Sequence, residues 1–281
     1  GAFGPAPILY YRSMRRLLVA VMALGILVSV FDTSRAAVPN QATVISSVAK
    51  LTVIETNPVI LTAKAYSVID IETGETLLAY NASEELPIAS VTKLFTAAAL
   101  LSTTEKEIVI STADVATEGR AGKLEAGQLY RTHELLFPLL LESSNDAAAT
   151  LERAVGEIDL AGEPLADGSG LSAENRASAN VLAEEVRELY RTQPHIFDIT
   201  RLKQYVGTYT GWVNNSPVHK LPGYRGGKHG YTQAAGRTLA AVFAEPTLDE
   251  RELAYVILGS SDLKSDTLRL RAAVENSVRY Q

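Results

Sequence analysis

Ser90 and Lys93 stand three residues apart at the head of an apolar stretch, Val91 to Leu101, in which Lys93 is the one long-chain charge. On a helix, residues i and i+3 share a face, so this spacing brings the amine within reach of the hydroxyl. A serine hydroxyl is a weak nucleophile until a base removes its proton. Lysine serves as that base when apolar surroundings and cationic neighbours depress its pKa. Val91, Leu94, Phe95 and the alanines from Ala97 to Ala99 supply such surroundings. Taken alone, Ser-x-x-Lys arises by chance in many chains, as a capping serine beside a solvated lysine. Two further polar groups give it weight. Ser143-Ser144-Asn145 closes the apolar run Leu139 to Leu141 and leads into Asp146-Ala147-Ala148, and Lys228-His229-Gly230 lies within a glycine-flanked strand pattern.

Other chemistries find less support. His133-Glu134 begins like a helical zinc-binding pair, but position 137 is Phe and the second histidine is missing. His195 and His219 have no partner at ligand spacing and read as ordinary surface or loop residues, so no metal is expected. The segment Gly119 to Gly127 lacks the spacing of a phosphate loop. Asp70 with Glu72, and Glu84 with Glu85, read as solvated hairpin and loop charges rather than as a glycosidase pair. Asp146 reads as an acid placed to favour the N-terminus of its helix. The chain has no cysteine, which excludes thiol catalysis, a disulfide scaffold and cysteine-ligated zinc. A net charge of -6 without a basic stripe excludes a nucleic-acid binder.

The elements that must position these residues follow from periodicity. Ala63 to Ile71 and Thr76 to Ala82 form a strand, turn, strand signal around Glu72-Thr73-Gly74-Glu75. Pro87 precedes Ser90, and Val91 to Leu101 predicts a buried helix whose first turn carries the serine. From Ser102 to about Thr200 the pattern is mainly helical, with Thr132 to Leu141, Asp146 to Val155 and Ala179 to Arg191 as helices and Thr132 placed to cap the first. Arg225 to Tyr231, Gly236 to Ala244 and Arg251 to Gly259 read as strands, and a helix from Ser265 to about Tyr280 closes the chain. Strands at both ends enclosing helices predict one α+β domain, an antiparallel sheet flanked by helices with a mostly helical insertion, over 62–281.

Upstream, Arg12, Arg15 and Arg16 precede the apolar run Leu17 to Phe31, which is followed by Ser34-Arg35-Ala36. That layout predicts export, with residues 1–37 as a signal peptide cleaved after Ala36 or as an uncleaved signal anchor. Residues 38–61 read as a linker with at most one short strand or helix.

The three polar groups, in this order, resemble the Ser-x-x-Lys, Ser-x-Asn and Lys-Thr-Gly set of penicillin-binding proteins and serine β-lactamases. Further segments resemble the D-alanyl-D-alanine carboxypeptidase family: Ile69-Asp70-Ile71-Glu72-Thr73-Gly74-Glu75, Pro87-Ile88-Ala89-Ser90, Asp167-Gly168-Ser169-Gly170-Leu171-Ser172, and Gly227 to Thr232 with Ala235-Gly236-Arg237. The resemblance covers roughly residues 62 to 281. It implies a β-lactamase/transpeptidase-like fold, and Ser90 as the acylated nucleophile with Lys93 as its base. Ser143 and Lys228 would relay a proton to the leaving amine, with Lys228 also drawing the terminal carboxylate. Asn145 would bind the substrate amide, and the N–H groups of Ser90 and Tyr231 would form the oxyanion hole beside Gly230. It implies peptidoglycan stem peptides as substrate, β-lactams as covalent inhibitors, no cofactor, action outside the cytoplasm, and any membrane attachment at the N-terminal segment.

Position 229 departs from the pattern, with His where the family has Thr. A protonated His229 would replace the hydroxyl as donor to the substrate carboxylate, with an unusual pH dependence. A His229 turned away or into the cleft would leave a non-catalytic cell-wall-binding relative. Only ten residues separate Gly156 from Asp167, which shortens one expected wall of the cleft. A β-lactamase is disfavoured because Glu174, the nearest candidate for Glu-x-x-x-Asn, is followed four residues on by Ser178. A D,D-endopeptidase of the same family stays open.

Overall fold

The computed structural model describes residues 49–55, 59–119 and 121–281. Its strands include β1 (Leu51–Val53), β2 (Ala65–Asp70), β3 (Thr76–Tyr80), β4 (Tyr224–Thr232), β5 (Gly236–Glu245), β6 (Arg251–Ser260) and β7 (Val278–Tyr280). Five of them make one antiparallel sheet in the order β4-β5-β6-β2-β3, so the early hairpin docks beside the last long strand, with Asp70 opposite Leu253. Side chains alternate between faces along a strand. Leu239, Ala241, Phe243, Tyr255 and Ile257 therefore form one core, and Ala240, Val242, Ala254 and Val256 another on the opposite face. Both faces are covered, which is why β5 and β6 read as nearly continuous apolar runs.

Six helices matter for the site: α1 (Lys93–Leu101), α2 (Leu136–Leu141), α3 (Asn145–Val155), α4 (Ala179–Thr192), α5 (Pro194–Arg201) and α6 (Leu263–Ser277). Ser178 caps α4 by accepting from Val181 N at 3.2 Å, and Leu182, Ala183, Val186 and Leu189 face the sheet at helical spacing. On the other face α6, capped by Asp262, buries Leu263, Leu270 and Val274. Each such burial contributes roughly 1.5–3 kcal/mol.

Asp70 is fully buried, not solvated as its hairpin position suggested. Arg251 grips it bidentately, Nε to Oδ1 at 2.9 Å and Nη2 to Oδ2 at 2.8 Å, while Glu72 N and Thr73 Oγ1 donate to the same carboxylate at 3.0 Å each. A buried acid met by an arginine fork and turn donors has a structural task, and no catalytic pair forms with Glu72.

Three boundaries differ from the sequence reading. The closing helix stops at Ser277, and Val278–Tyr280 instead pairs with β1, bringing part of the 38–61 segment into the fold. Thr132 does not cap its helix: it lies inside a 3₁₀ turn, Thr132–Leu135, and its hydroxyl accepts from Lys106 N at 3.2 Å. Ser90 sits on a separate 3₁₀ turn, Ala89–Thr92, ahead of α1. The short span after Gly156 holds a small hairpin, Asp159–Leu160 with Glu163–Pro164. Among the described residues no helix is long and apolar enough to cross a membrane, and the run Leu17 to Phe31 lies outside them.

Candidate active site

Four parts of the chain converge on one cleft: the Ser90 turn with α1, the loop between α2 and α3, the loop 166–172, and β4. The turn is held in an uncommon conformation. Ala89 has a φ of +49°, a left-handed setting that costs a non-glycine residue about 1–3 kcal/mol and persists only where its surroundings dictate it. Ser143 has a φ of +60°. The two strained residues that are not glycine in this cleft thus flank or carry its hydroxyls.

Lys93 is fully buried, and its Nζ has three partners: Ser90 Oγ at 3.0 Å, Asn145 Oδ1 at 2.7 Å and the carbonyl oxygen of Ser169 at 2.6 Å. Burial pushes its pKa down to about 7, against the opposing pull of Asp167 and Asp146. A neutral amine has two hydrogens and one lone pair. Asn145 Oδ1 and Ser169 O can only accept, so they take the two hydrogens, and the lone pair faces the partner with a proton to give, the Ser90 hydroxyl. The half-buried Ser90 remains open to a substrate. A neutral Lys93 in this geometry has the distance and the lone pair that a base toward the Ser90 hydroxyl requires.

Lys228, also buried, donates to Ser143 Oγ at 2.9 Å and to the His229 carbonyl at 2.7 Å. Burial, then the charge of Lys93, push its pKa well down. Two amines and two hydroxyls therefore stand near one another, each amine within hydrogen-bonding distance of one hydroxyl. Gly230 allows the strand its close approach: a Cβ there would lie 2.6 Å from Ser90 N. The backbone beyond Gly230 thus runs past the N–H of the nucleophile, and the Tyr231 side chain is exposed.

Asn145 is engaged at both ends, Oδ1 by Lys93 and Nδ2 by the Glu118 carbonyl at 2.8 Å. The α3 N-terminus that carries it is capped by Ser144, whose Oγ accepts from Ala147 N at 2.9 Å. Asp146, fully buried, accepts from Gly122 N at 2.9 Å and from the Ser144 hydroxyl. Its carboxylate therefore ties residues 121–124 to the helix end besides favouring the helix dipole.

The protonated His229 envisaged from the sequence is not what the site favours. Burial comes first, then Lys228, Arg237, Lys93 and His219, and all push the imidazole well below its ordinary pKa. The ring is therefore neutral. His219, read as an ordinary loop residue, belongs to that surround, with its Nδ1 2.5 Å from the Ser216 carbonyl. His195 is exposed. No group of metal-ligating side chains occurs among the described residues. Sequence reasoning missed the Ser169 carbonyl, which no residue type announces, and the role of Asp167, whose motif it had noted.

Residues 52–158 match the family model described as D-alanyl-D-alanine carboxypeptidase, a segment that holds Ser90, Lys93, Ser143 and Asn145 but stops short of Lys228. No curated protein sequence matches the chain. Among solved structures, the D-alanyl-D-alanine carboxypeptidase of Mycobacterium tuberculosis is similar at 22% identity and a TM-score of 0.72, over 82% of this chain and 99% of that one. Penicillin-binding protein D2 of Listeria monocytogenes in its cefotaxime-bound form is similar at 19% identity and a TM-score of 0.66, over 78% and 98%. A mutant of the Streptomyces K15 DD-transpeptidase is similar at 19% identity and a TM-score of 0.68, over 77% and 98%. The fold is that of these penicillin-binding, transpeptidase-like proteins, an antiparallel sheet flanked by helices.

Proposed function

We propose that the chain is a serine-type D-alanyl-D-alanine carboxypeptidase that cleaves peptidoglycan stem peptides through an acyl-enzyme at Ser90. The observation that carries this reading is the buried Lys93 amine, whose Nζ lies 3.0 Å from Ser90 Oγ and within 2.7 Å of two oxygens that can only accept, so that in its neutral form the lone pair is left for the Ser90 proton. Lys93 takes the hydroxyl proton as Ser90 Oγ attacks the carbonyl of the penultimate D-alanine. The N–H groups of Ser90 and Tyr231 receive the developing oxyanion. As the C–N bond breaks, the departing D-alanine amine takes a proton through Ser143, replenished by Lys228. Water then attacks the ester, its proton passing through Ser143 to replace the one that Lys228 gave, and as the C–O bond breaks Ser90 Oγ takes back the proton held by Lys93. Lys228, protonated as the relay requires, and Arg237 draw the C-terminal carboxylate. A β-lactam follows the same first step, but its leaving amine stays tethered, so the adduct persists. Such a substrate lies outside the cytoplasm, in keeping with the export signal expected over residues 1–37.

Labelling with a fluorescent penicillin tests the reading. The native chain is expected to form an adduct that Ser90→Ala abolishes, and to release D-alanine from a stem pentapeptide. A native chain without adduct between pH 6 and 9 would sink it, and an adduct without D-alanine release would leave a penicillin-binding relative instead.

A further inference from the structure

The Ser169 carbonyl is one of two acceptors that fix Lys93, and a backbone carbonyl goes where its loop puts it. Residues 167–172 lie outside any helix or strand, so another force must hold them. Asp167 supplies it. Its Oδ1 accepts from the N–H groups of Ser169 at 2.7 Å, Gly170 at 2.6 Å and Leu171 at 3.2 Å and from the Ser169 hydroxyl at 2.6 Å, while Oδ2 accepts from Ser172 N at 2.8 Å. Consecutive N–H groups gathered on one anion form a concave nest, with the carbonyls directed away from it. Gly168 O meets the Thr96 hydroxyl at 2.6 Å, and Ser169 O meets Lys93 Nζ. Asn175, fully buried, clamps the base of the loop: its Nδ2 donates to Asp167 O at 2.8 Å and its Oδ1 accepts from Ala166 N at 2.7 Å.

We propose that Asp167 is a positioning residue for acyl transfer: its carboxylate folds the 167–172 loop so that the Ser169 carbonyl holds one Lys93 hydrogen and turns the lone pair onto Ser90. The proposal rests on the acyl-transfer reading above. Asp167 also has a second, opposite influence. Burial raises its own pKa, but the bonds from Ser169, Ser172 and Gly170 outweigh this and keep it ionised, and the anion stabilises the Lys93 ammonium. Removing the charge frees the base, whereas removing the loop's anchor misdirects it. The two roles move the rate in opposite directions, which makes them separable.

In Asp167→Asn the side-chain NH₂ faces the Ser172 N–H, two donors with no acceptor between them, and in Asp167→Glu the charge is kept one methylene further out. The experiment measures penicillin acylation of both variants and the native chain from pH 6 to 9, thermal unfolding, and carbon-13 lysine NMR with the Lys93 signal assigned by its loss in Lys93→Met. Lys93 in Asp167→Asn is expected to titrate at lower pH while its plateau acylation rate falls tenfold or more. Asp167→Glu is expected to lose as much. Plateau rates within twofold of native in either folded variant overturn the proposal, and Asp167→Glu decides if Asp167→Asn does not fold. If the native chain itself is not acylated, the acyl-transfer reading fails, and the NMR arm still tests positioning. A fixed Lys93 shows two distinct Hε resonances that merge in a folded Asp167 variant, and an unchanged separation overturns the role.

Discussion

The Nζ of Lys93 donates to Asn145 Oδ1 at 2.7 Å, so the amide expected to bind substrate is already part of the device that aims the base. The two functions are compatible only if Asn145 is neutral. Asn145→Asp places a carboxylate at that contact, and an opposite charge at such a distance raises a lysine pKa by about 1–3 units. Because Lys93 must be neutral to act, acylation by penicillin at pH 7 is expected to fall about tenfold or more and to recover toward pH 9. Rate against pH is the measurement. A loss equal at every pH would instead mean that Asn145 acts through shape alone.

The depressed pKa of Lys93 has a consequence for stability. In the folded chain the amine loses its proton near pH 7, whereas the unfolded chain holds it to about 10.5. Between those values the unfolded state binds more protons, so this group makes folding more favourable as pH rises, by about 1.4 kcal/mol per pH unit at most. Below pH 7 both states are protonated and the dependence vanishes. In Lys93→Met the slope of unfolding free energy against pH, taken from denaturant melts between pH 7 and 9, is expected to drop by close to one proton. An unchanged slope would show that Lys93 stays charged in the folded protein.

His229 makes a different prediction. Burial first, then the neighbouring Lys228 and Arg237, hold the ring neutral, and a ligand carboxylate brings a charge that pulls its pKa back up. Binding of a D-alanyl-D-alanine peptide to the Ser90→Ala variant is therefore expected to take up protons near neutral pH. Calorimetry in buffers of different ionisation enthalpy reads this directly, and His229→Thr should abolish most of the uptake while speeding acylation of the otherwise native chain several-fold. Equal uptake in the two chains would place the titrating group elsewhere.

These outcomes depend on features of unequal visibility in the sequence. The long strands were legible because β5 and β6 are nearly continuous apolar runs between polar ends, and α4 because Leu182, Val186 and Leu189 recur at helical spacing. Ser90, Lys93, Ser143 and Lys228 were legible as residue types, and the structure brings them together. What could not be read depends on contacts distant in the chain or on backbone alone. Pairing of Leu51–Val53 with Val278–Tyr280 joins segments more than two hundred residues apart, and no local pattern separates the last turn of α6 from the strand after it. The left-handed Ala89 is set by its neighbours rather than by its type. The Ser169 carbonyl is a main-chain group, visible only once Asp167 is seen to fold its loop.

Gly170 tests how closely that loop and the nucleophile turn depend on each other. Its φ is +79°, and a Cβ added there would fall 1.9 Å from the Ala89 carbonyl oxygen and 2.8 Å from Thr92 Oγ1. The first contact is with backbone, which cannot rotate out of the way. Gly162, in the two-residue loop of the 159–164 hairpin, has a φ of +83° but open space around the added atom, so it isolates the conformational term. Gly162→Ala is expected to cost about 1 kcal/mol, the penalty of the left-handed setting. Gly170→Ala adds overpacking, for a total of about 2–4 kcal/mol. Denaturant unfolding of the two variants gives the difference. The strain in Gly170→Ala must be relieved by moving either the loop or Ala89, and both movements separate Lys93 from Ser90, so acylation is expected to fall with stability in that variant and to stay near native in Gly162→Ala. A Gly170→Ala chain as stable and as reactive as native would show that the turn and the loop are not in contact.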